Sequence, residues 1–319
     1  MTVTSGDVAR AAGVSRPAVS MILNGRGRFS TETIQRVEQI AEAMNYRPSP
    51  AARALATGTS DIVVALIPDT TFGTNLQDLT DLFTAAFARV GLTLVLRLSS
   101  SPGELFEHFI ASVRPRAVIA PVRSPTASEV ATLAAAKIPL VELSGQIEGG
   151  DVNVQIGRRQ GEYLTSQGYR SFAYAHLQDT RRDLLGDARE AGFTEHLRML
   201  DLSAAPAVHV GLDLQDAITA LRHLPTPVAI ACYNDDVAIA LLGGARELGR
   251  RVPQDVALIG VDATRIGSLM APRITSVTAG LASARHEIVN ATVARVVDPT
   301  IPALHAHRVK LAVAPGESA

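Results

Sequence analysis

From Asp61 onward, short and nearly continuous apolar runs alternate with longer segments whose apolar residues recur at helical spacing. The runs are 62–67, 92–98, 117–122, 140–143, 172–177, 208–210, 228–233 and 256–261. The helical segments are 76–90, 104–113, 128–136, 184–200, 214–224 and 235–248. A strand that is apolar without alternation is buried on both faces, and a crossover helix between two strands makes the pair parallel. The pattern therefore predicts an α/β body of parallel sheets covered by helices. Residues 61–319 are long enough for two doubly wound units. A late apolar run at 309–313 adds one more expected strand, and the tail 314–319 reads as short and polar.

Residues 1–48 follow a different grammar, that of three short helices. Thr4 is placed to cap the first, with Asp7 three residues on as its capping-box partner, and Gly13 closes it. Ser15 can cap the second helix, which carries Pro17 in its first turn, where a missing N–H costs little. That helix is expected to run to about Asn24. The third begins near Ser30, with Ile34, Val37, Ile40, Ala41 and Met44 as its apolar stripe. Pro48 and Pro50 then break the pattern. Two short helices joined by Ala12-Gly13-Val14-Ser15 form a helix-turn-helix, whose second helix enters the major groove of double-stranded DNA N-terminus first.

That geometry exposes Arg16, Pro17, Ser20 and Met21 and turns Val14, Val19 and Ile22 into the core. Arg16 has the fork that binds guanine O6 and N7 together, although it also fits a solvated arginine at a helix start. Pro17 and Met21 offer only apolar contact. Thr4, Ser15, Ser20, Asn24 and Thr33 are small polar groups suited to phosphate, which fixes register without reading sequence.

Charge agrees with this division. The chain's net charge is −1, but the first sixty residues hold seven arginines against four acids, and the rest is acidic. A basic head on a mildly acidic body suits a chain whose head alone meets phosphate. One cysteine, Cys232, excludes an intrachain disulfide and disfavours a cysteine-built zinc site. No apolar run approaches the length of a membrane span, and the N-terminus lacks the signature of a secretory signal. A soluble cytoplasmic protein with no membrane partner is expected.

Asp7-Val8-Ala9-Arg10-Ala11-Ala12-Gly13-Val14-Ser15, then Ala18-Val19-Ser20, Ile22-Leu23-Asn24 and Ala43-Met44-Asn45-Tyr46-Arg47-Pro48, closely resemble the LacI/GalR family. So does the stretch from Ala51 to Gly58. The resemblance implies a repressor-type regulator that binds a palindromic operator as a homodimer. It also implies that the linker 49–60 folds into a hinge helix on DNA, where Ala52 and Arg53 lie at the duplex and Leu55 wedges into the minor groove. A simple linker helix packed on the body is the alternative. Met21 stands where many relatives carry arginine, which changes what the head can read.

For residues 61–319 the resemblance implies a periplasmic-binding-protein-like body. Two subdomains are joined by three crossovers, near Gly157, Ala279 and Ile301, and hold a small-molecule effector between them. Arg189-Glu190-Ala191-Gly192-Phe193, Tyr233-Asn234-Asp235-Asp236 and Ile259-Gly260-Val261-Asp262 resemble the family's effector motifs. They make Arg189, Asn234 and Asp262 the expected contacts, with ring stacking resting on Phe72, Phe193 or Tyr233. A guanidinium, an amide and a carboxylate together satisfy vicinal hydroxyls, so a sugar-like ligand fits. A loop-capping role is the other reading of Asp262; core packing is that of Phe72 and Phe193. Asp235 is read as a helix N-cap. Ala263 and Ser144 stand where acids are common, so a nucleoside, an amino acid, a phosphorylated metabolite, or no effector at all stay open.

An enzyme is not expected. The eight histidines are scattered, and neither a nucleophile elbow nor a phosphate-binding loop is present. His305 and His307 read as a surface strand or loop rather than a metal pair, and no metal or cofactor is expected.

Overall fold

The computed structural model describes residues 3–23, 27–46, 58–67, 74–98, 103–121, 125–142, 151–179, 185–279, 281–302 and 311–319. The head is three helices, α1 (Ser5–Ala12), α2 (Arg16–Leu23) and α3 (Thr31–Ala43). The Asp7 carboxylate accepts from the backbone N–H and the hydroxyl of Thr4, at 3.0 and 2.7 Å, which fixes the start of α1. Gly13, with φ 68°, ends it in the left-handed conformation that glycine adopts freely. Ser15 Oγ accepts from the Ala18 N–H and Ser30 Oγ from that of Thr33, so both later helices start on the serines expected. Val8, Ala12, Val19, Ile22, Val37 and Ala41 fill the space between the helices.

The body holds two sheets. In the first, β1 (Ile62–Ile67), β2 (Thr93–Leu98), β3 (Ala117–Ala120) and β4 (Leu140–Glu142) lie in the order β2-β1-β3-β4, all parallel. Helices α4 (Thr74–Arg89), α5 (Gly103–Val113) and α6 (Ala127–Ala135) connect them. Chain order leads next through α7 (Val152–Ser166), β5 (Phe172–Leu177), α8 (Gly186–Met199), β6 (Val208–Val210) and α9 (Leu214–Arg222). After these come β7 (Val228–Cys232), α10 (Asp235–Glu247), β8 (Val256–Val261), α11 (Arg265–Leu269), β9 (Thr275–Ala279), α12 (Leu281–Val297) and β10 (Leu311–Ala314). The second sheet has the order β10-β9-β8-β7-β5-β6. Its strands are parallel except β10, which pairs antiparallel with β9, so this sheet is mixed at one edge.

The chain passes between the sheets three times. The first passage lies between Glu142 and Val152, ahead of the expected Gly157, which sits inside α7. After β9 the chain returns, and Val289, Val293 and Val296 of α12 pack with Val63, Ile67, Phe83 and Phe87 in the core of the first sheet. Between Ile301 and Leu311 it crosses once more to supply β10. The second sheet buries one face against α9 and α10 and the other against α7 and α8.

Four elements, α7, β9, α11 and α12, have no counterpart in the apolar pattern. Helix α7 buries Gly157, Gln160 and Gly161 beside Ile156 and Leu164, so its inner face carries no apolar stripe. Strand β9 begins with Thr275 and Ser276, which are buried because they are hydrogen-bonded. The tail is not a polar extension either. Ser318 is wholly buried, its hydroxyl donating to Leu258 O at 2.6 Å and accepting from the Thr275 N–H at 2.9 Å. No helix among the described residues is long and apolar enough to cross a membrane.

Candidate functional site

On the head, Ser15, Arg16, Pro17, Ser20 and Met21 are all exposed, while Ala18, Val19 and Ile22 of the same helix are buried. Helix α2 therefore offers one continuous face to solvent. The Arg16 side chain lies along the start of α1, its Nε donating to Ser5 Oγ at 3.2 Å. This contact orients the guanidinium at the junction of the two helices. Thr4 is exposed, and Thr33 is half-buried with its hydroxyl 2.8 Å from that of Ser30. Asn24, Ala52, Arg53 and Leu55 lie outside the described residues.

In the body, the second sheet reverses its winding between β5 and β7, the point at which open sheets leave a crevice beyond the strand ends. Arg189, Asn234 and Asp262 follow β5, β7 and β8. Arg189 is buried. Its Nε donates to Asn153 Oδ1 at 3.1 Å, its Nη1 donates to the Tyr233 carbonyl, and its guanidinium lies 5.0 Å from the centroid of the Tyr233 ring. Phe193, by contrast, is wholly buried against Phe172 and Tyr174, a core residue. Phe72 lies outside the described residues.

The cap of α10 is Asn234, not Asp235. Its Oδ1 accepts from the Val237 N–H at 3.0 Å and its Nδ2 donates to Asp236 at 3.3 Å. Asp235 faces inward instead, accepting from Ser276 Oγ at 2.6 Å and from the N–H and hydroxyl of Thr264 at 2.7 and 3.0 Å. Burial pushes its carboxyl up to about 6, against those hydrogen bonds and with a further push from Asp262. Burial and then Asp262 also raise Asp236. Asp235, Asp236 and Asp262 thus share one electrostatic neighbourhood at the ends of β7 and β8. Asp262 is half-buried, with φ 98° and its N–H donating to Val277 O at 2.9 Å.

Sequence reasoning passed over the residues that hold these groups. Gln160 is wholly buried, and its Nε2 donates to Cys232 O and Ile259 O, at 2.9 and 3.1 Å, pinning α7 to the ends of β7 and β8. Its signal was a lone polar residue where a helix should be apolar. Burial pushes the Cys232 thiol far up, which keeps it protonated and unreactive. No group of three or more metal-ligating side chains that could hold an ion occurs among the described residues.

Residues 4–49 match the bacterial regulatory proteins of the lacI family, and residues 162–319 match a periplasmic binding protein-like domain. The catabolite control protein A of Staphylococcus xylosus is 25% identical over 296 residues, which covers 87% of each chain. The ribose operon repressor of Halalkalibacterium halodurans is 26% identical over 283 residues, covering 86% of this chain and 84% of its own. Among solved structures, the lac repressor dimer bound to operator and the anti-inducer ONPF superposes with a TM-score of 0.77 at 19% identity, over 100% of this chain and 99% of that one. The regulator CelR in complex with cellobiose gives 0.63 at 21%, over 99% and 100%. At these identities the superpositions speak for the fold alone. With its helix-turn-helix head and its periplasmic-binding-protein-like α/β body, the chain belongs to the lacI family of bacterial regulatory proteins and is a DNA-binding transcription regulator, not an enzyme.

Proposed function

We propose that the protein is a cytoplasmic repressor that binds a palindromic operator as a homodimer and is controlled by a small, sugar-like effector held in the body. The observation that carries the reading is the single exposed face of α2, with Arg16, Pro17, Ser20 and Met21 outward and Val19 and Ile22 in the core. That face enters the major groove, while Thr4, Ser15, Asn24 and Thr33 contact phosphate and Ala52, Arg53 and Leu55 form the hinge. Exposed apolar side chains support the dimer: Leu269 (83% exposed) and Ile266 on α11, and Leu96 and Leu98 on the edge strand β2. Such residues are costly to leave in water and are what a subunit interface covers. The effector contacts are Phe72, Arg189, Asn234 and Asp262. An effector shifts the equilibrium between body conformations by its differential affinity for them, and so changes the spacing of the two heads.

The test is selection of bound duplexes from a random library by the full-length protein, followed by titration of the recovered site with wild type and Leu55→Ala. A palindrome is expected. Leu55→Ala is expected to weaken that site far more than unrelated DNA, and equal losses would remove the wedge. Recovery of no preferred sequence would overturn the reading itself.

A further inference from the structure

We propose that Asp235 is a positioning residue that sets the Asp262–Ala263 turn, and with it the direction in which the Asp262 carboxylate is offered to an effector. The second half of this statement rests on the reading of Asp262 as an effector contact. Asp262 and Ala263 have φ of 98° and 47°, two successive non-glycine residues in the left-handed region. L residues are held there only where surrounding structure over-determines the backbone. The Asp262 N–H is tied to Val277 O on β9, and beyond that bond the restraint comes from one carboxylate. Asp235 Oδ2 accepts from the Thr264 N–H and hydroxyl, immediately after the turn. Its Oδ1 accepts from Ser276 Oγ, and that hydroxyl oxygen accepts in turn from the Ala263 N–H at 2.9 Å, inside the turn.

The surroundings are shaped to admit this side chain. A Cβ on Gly260 would stand 2.1 Å from Asp235 Oδ1, and one on Gly267 would stand 3.1 Å from Oδ2. Helix capping does not explain the arrangement, because Asn234 already caps α10. An acid in the first helical turn serves the helix dipole equally well from the surface. Burying it at 1% exposure is needed only if its oxygens must reach Thr264 and Ser276. Thr264 also accepts from the Gly267 N–H and so starts α11, which places the turn between two fixed points, β8 and α11.

The experiment uses the full-length protein, Asp235→Asn, Ala263→Gly and the double variant, with amide hydrogen exchange read by mass spectrometry. The carboxamide keeps the size of the side chain but puts a donor where Thr264 or Ser276 also donates. Exchange at Asp262, Ala263 and Thr264 is expected to accelerate about tenfold or more, the scale of one strained residue released, with residues 228–232 unchanged. Glycine removes the cost of the left-handed conformation. The double variant is therefore expected to regain protection, a rescue that loss of core stability alone does not produce. Unchanged exchange at 262–264 in Asp235→Asn, acceleration spread equally into β7, or failure of the rescue would each overturn the proposal. If Asp235→Asn does not fold, Ser276→Ala removes one of the ties and is read in the same way. A thermal-shift arm with ribose and with cellobiose isolates the underlying reading. A sugar shift that survives in Asp262→Ala refutes the effector role of Asp262 and leaves the exchange result standing.

Discussion

The backbone of Gly157 on α7 lies so close to Arg189 on α8 that a Cβ at position 157 would stand 1.7 Å from the Arg189 carbonyl oxygen. The relationship is reciprocated one turn away, where a Cβ on Gly192 would stand 1.9 Å from Val154 O. Two glycines thus let the helices touch backbone to backbone. The contact brings Asn153 within 3.1 Å of the Arg189 guanidinium. Gly157→Ala is expected to force the pair apart and to destabilise the protein by about 1–3 kcal/mol or more, as overpacking does. Gly243→Ala, in α10, meets only Leu214 Cδ1 at 3.5 Å and is expected to be neutral or stabilising by up to about 1 kcal/mol, alanine being the better helix former. Urea unfolding of both variants is the measurement. A Gly157→Ala protein as stable as wild type would mean that the helices separate at no cost.

The raised carboxyl of Asp235 makes a prediction about pH. Its pKa in the fold is about 6 against an ordinary 3.8, so between these values the native state holds a proton that the unfolded chain has lost. Stability contributed by this group is therefore complete below about pH 4, falls as pH rises toward 6, and is flat above that. The full swing is roughly 3 kcal/mol at most, at 1.36 kcal/mol per pKa unit. Other acids contribute with the opposite sign: hydrogen bonds from Thr4 lower Asp7 and those from Arg251 lower Asp255. The informative quantity is accordingly the difference between wild type and Asp235→Asn, which cannot titrate there. That difference is expected to move against wild type from pH 4 to pH 6.5. A constant difference across the range would show that Asp235 titrates normally in the fold.

The alternation of apolar runs foretold eight strands and the helices between them because burial on both faces leaves no polar residue to interrupt a run. It failed where burial is achieved by other means. Helix α7 packs through Gly157 and Gly161 and buries the amide of Gln160, and β9 buries the hydroxyls of Thr275 and Ser276 by bonding them to the Ala319 carbonyl of the tail and to Asp235. The apolar run at 309–313 foretold β10 at Leu311–Ala314 but not its antiparallel direction, since a strand's direction is set by where the preceding connection enters. At the candidate site the motifs led to Arg189, Asn234 and Asp262, but not to their supports. The N-cap role fell to Asn234 rather than Asp235 because either side chain can accept from the first turn, and only Asp235 finds three donors behind it.

Helix α11 carries a prediction about assembly. Leu269 is 83% exposed and Ile266 is 56% exposed on a helix of five residues. A charge at position 269 costs little in an isolated subunit, because the Leu269 side chain is almost wholly in solvent. At the centre of an interface an unpaired charge must be desolvated, which opposes association. Leu269→Glu is expected to leave the far-ultraviolet spectrum unchanged and to shift the molecular mass from dimer toward monomer in light scattering at micromolar concentration. It should also reduce binding to a palindrome far more than binding to a single half-site. A wild-type chain that is monomeric, or a variant that stays dimeric, would place the interface elsewhere or remove it.

Arg16 separates two ways of meeting DNA. A bidentate contact with guanine needs the planar fork, whereas a phosphate contact needs only a positive charge. The Nε of Arg16 is engaged by Ser5 Oγ at 3.2 Å, which leaves the two terminal nitrogens available to a guanine O6 and N7. Arg16→Lys keeps the charge and loses the fork. If Arg16 reads a base, lysine is expected to lower affinity for the selected operator by about 10- to 100-fold, equivalent to roughly 1–3 kcal/mol, and to relax preference at one position of each half-site. Nonspecific affinity and the salt slope should then be nearly unchanged. If Arg16 neutralises a phosphate, lysine substitutes for it well. Arg16→Ala then reduces the slope of log K against log salt by about one, uniformly across sequences. Titrations of wild type, Arg16→Lys and Arg16→Ala at several salt concentrations, on operator and on scrambled duplex, distinguish the two. Full retention of operator preference by Arg16→Lys would assign base reading to the rest of the α2 face, where Pro17, Ser20 and Met21 are also exposed.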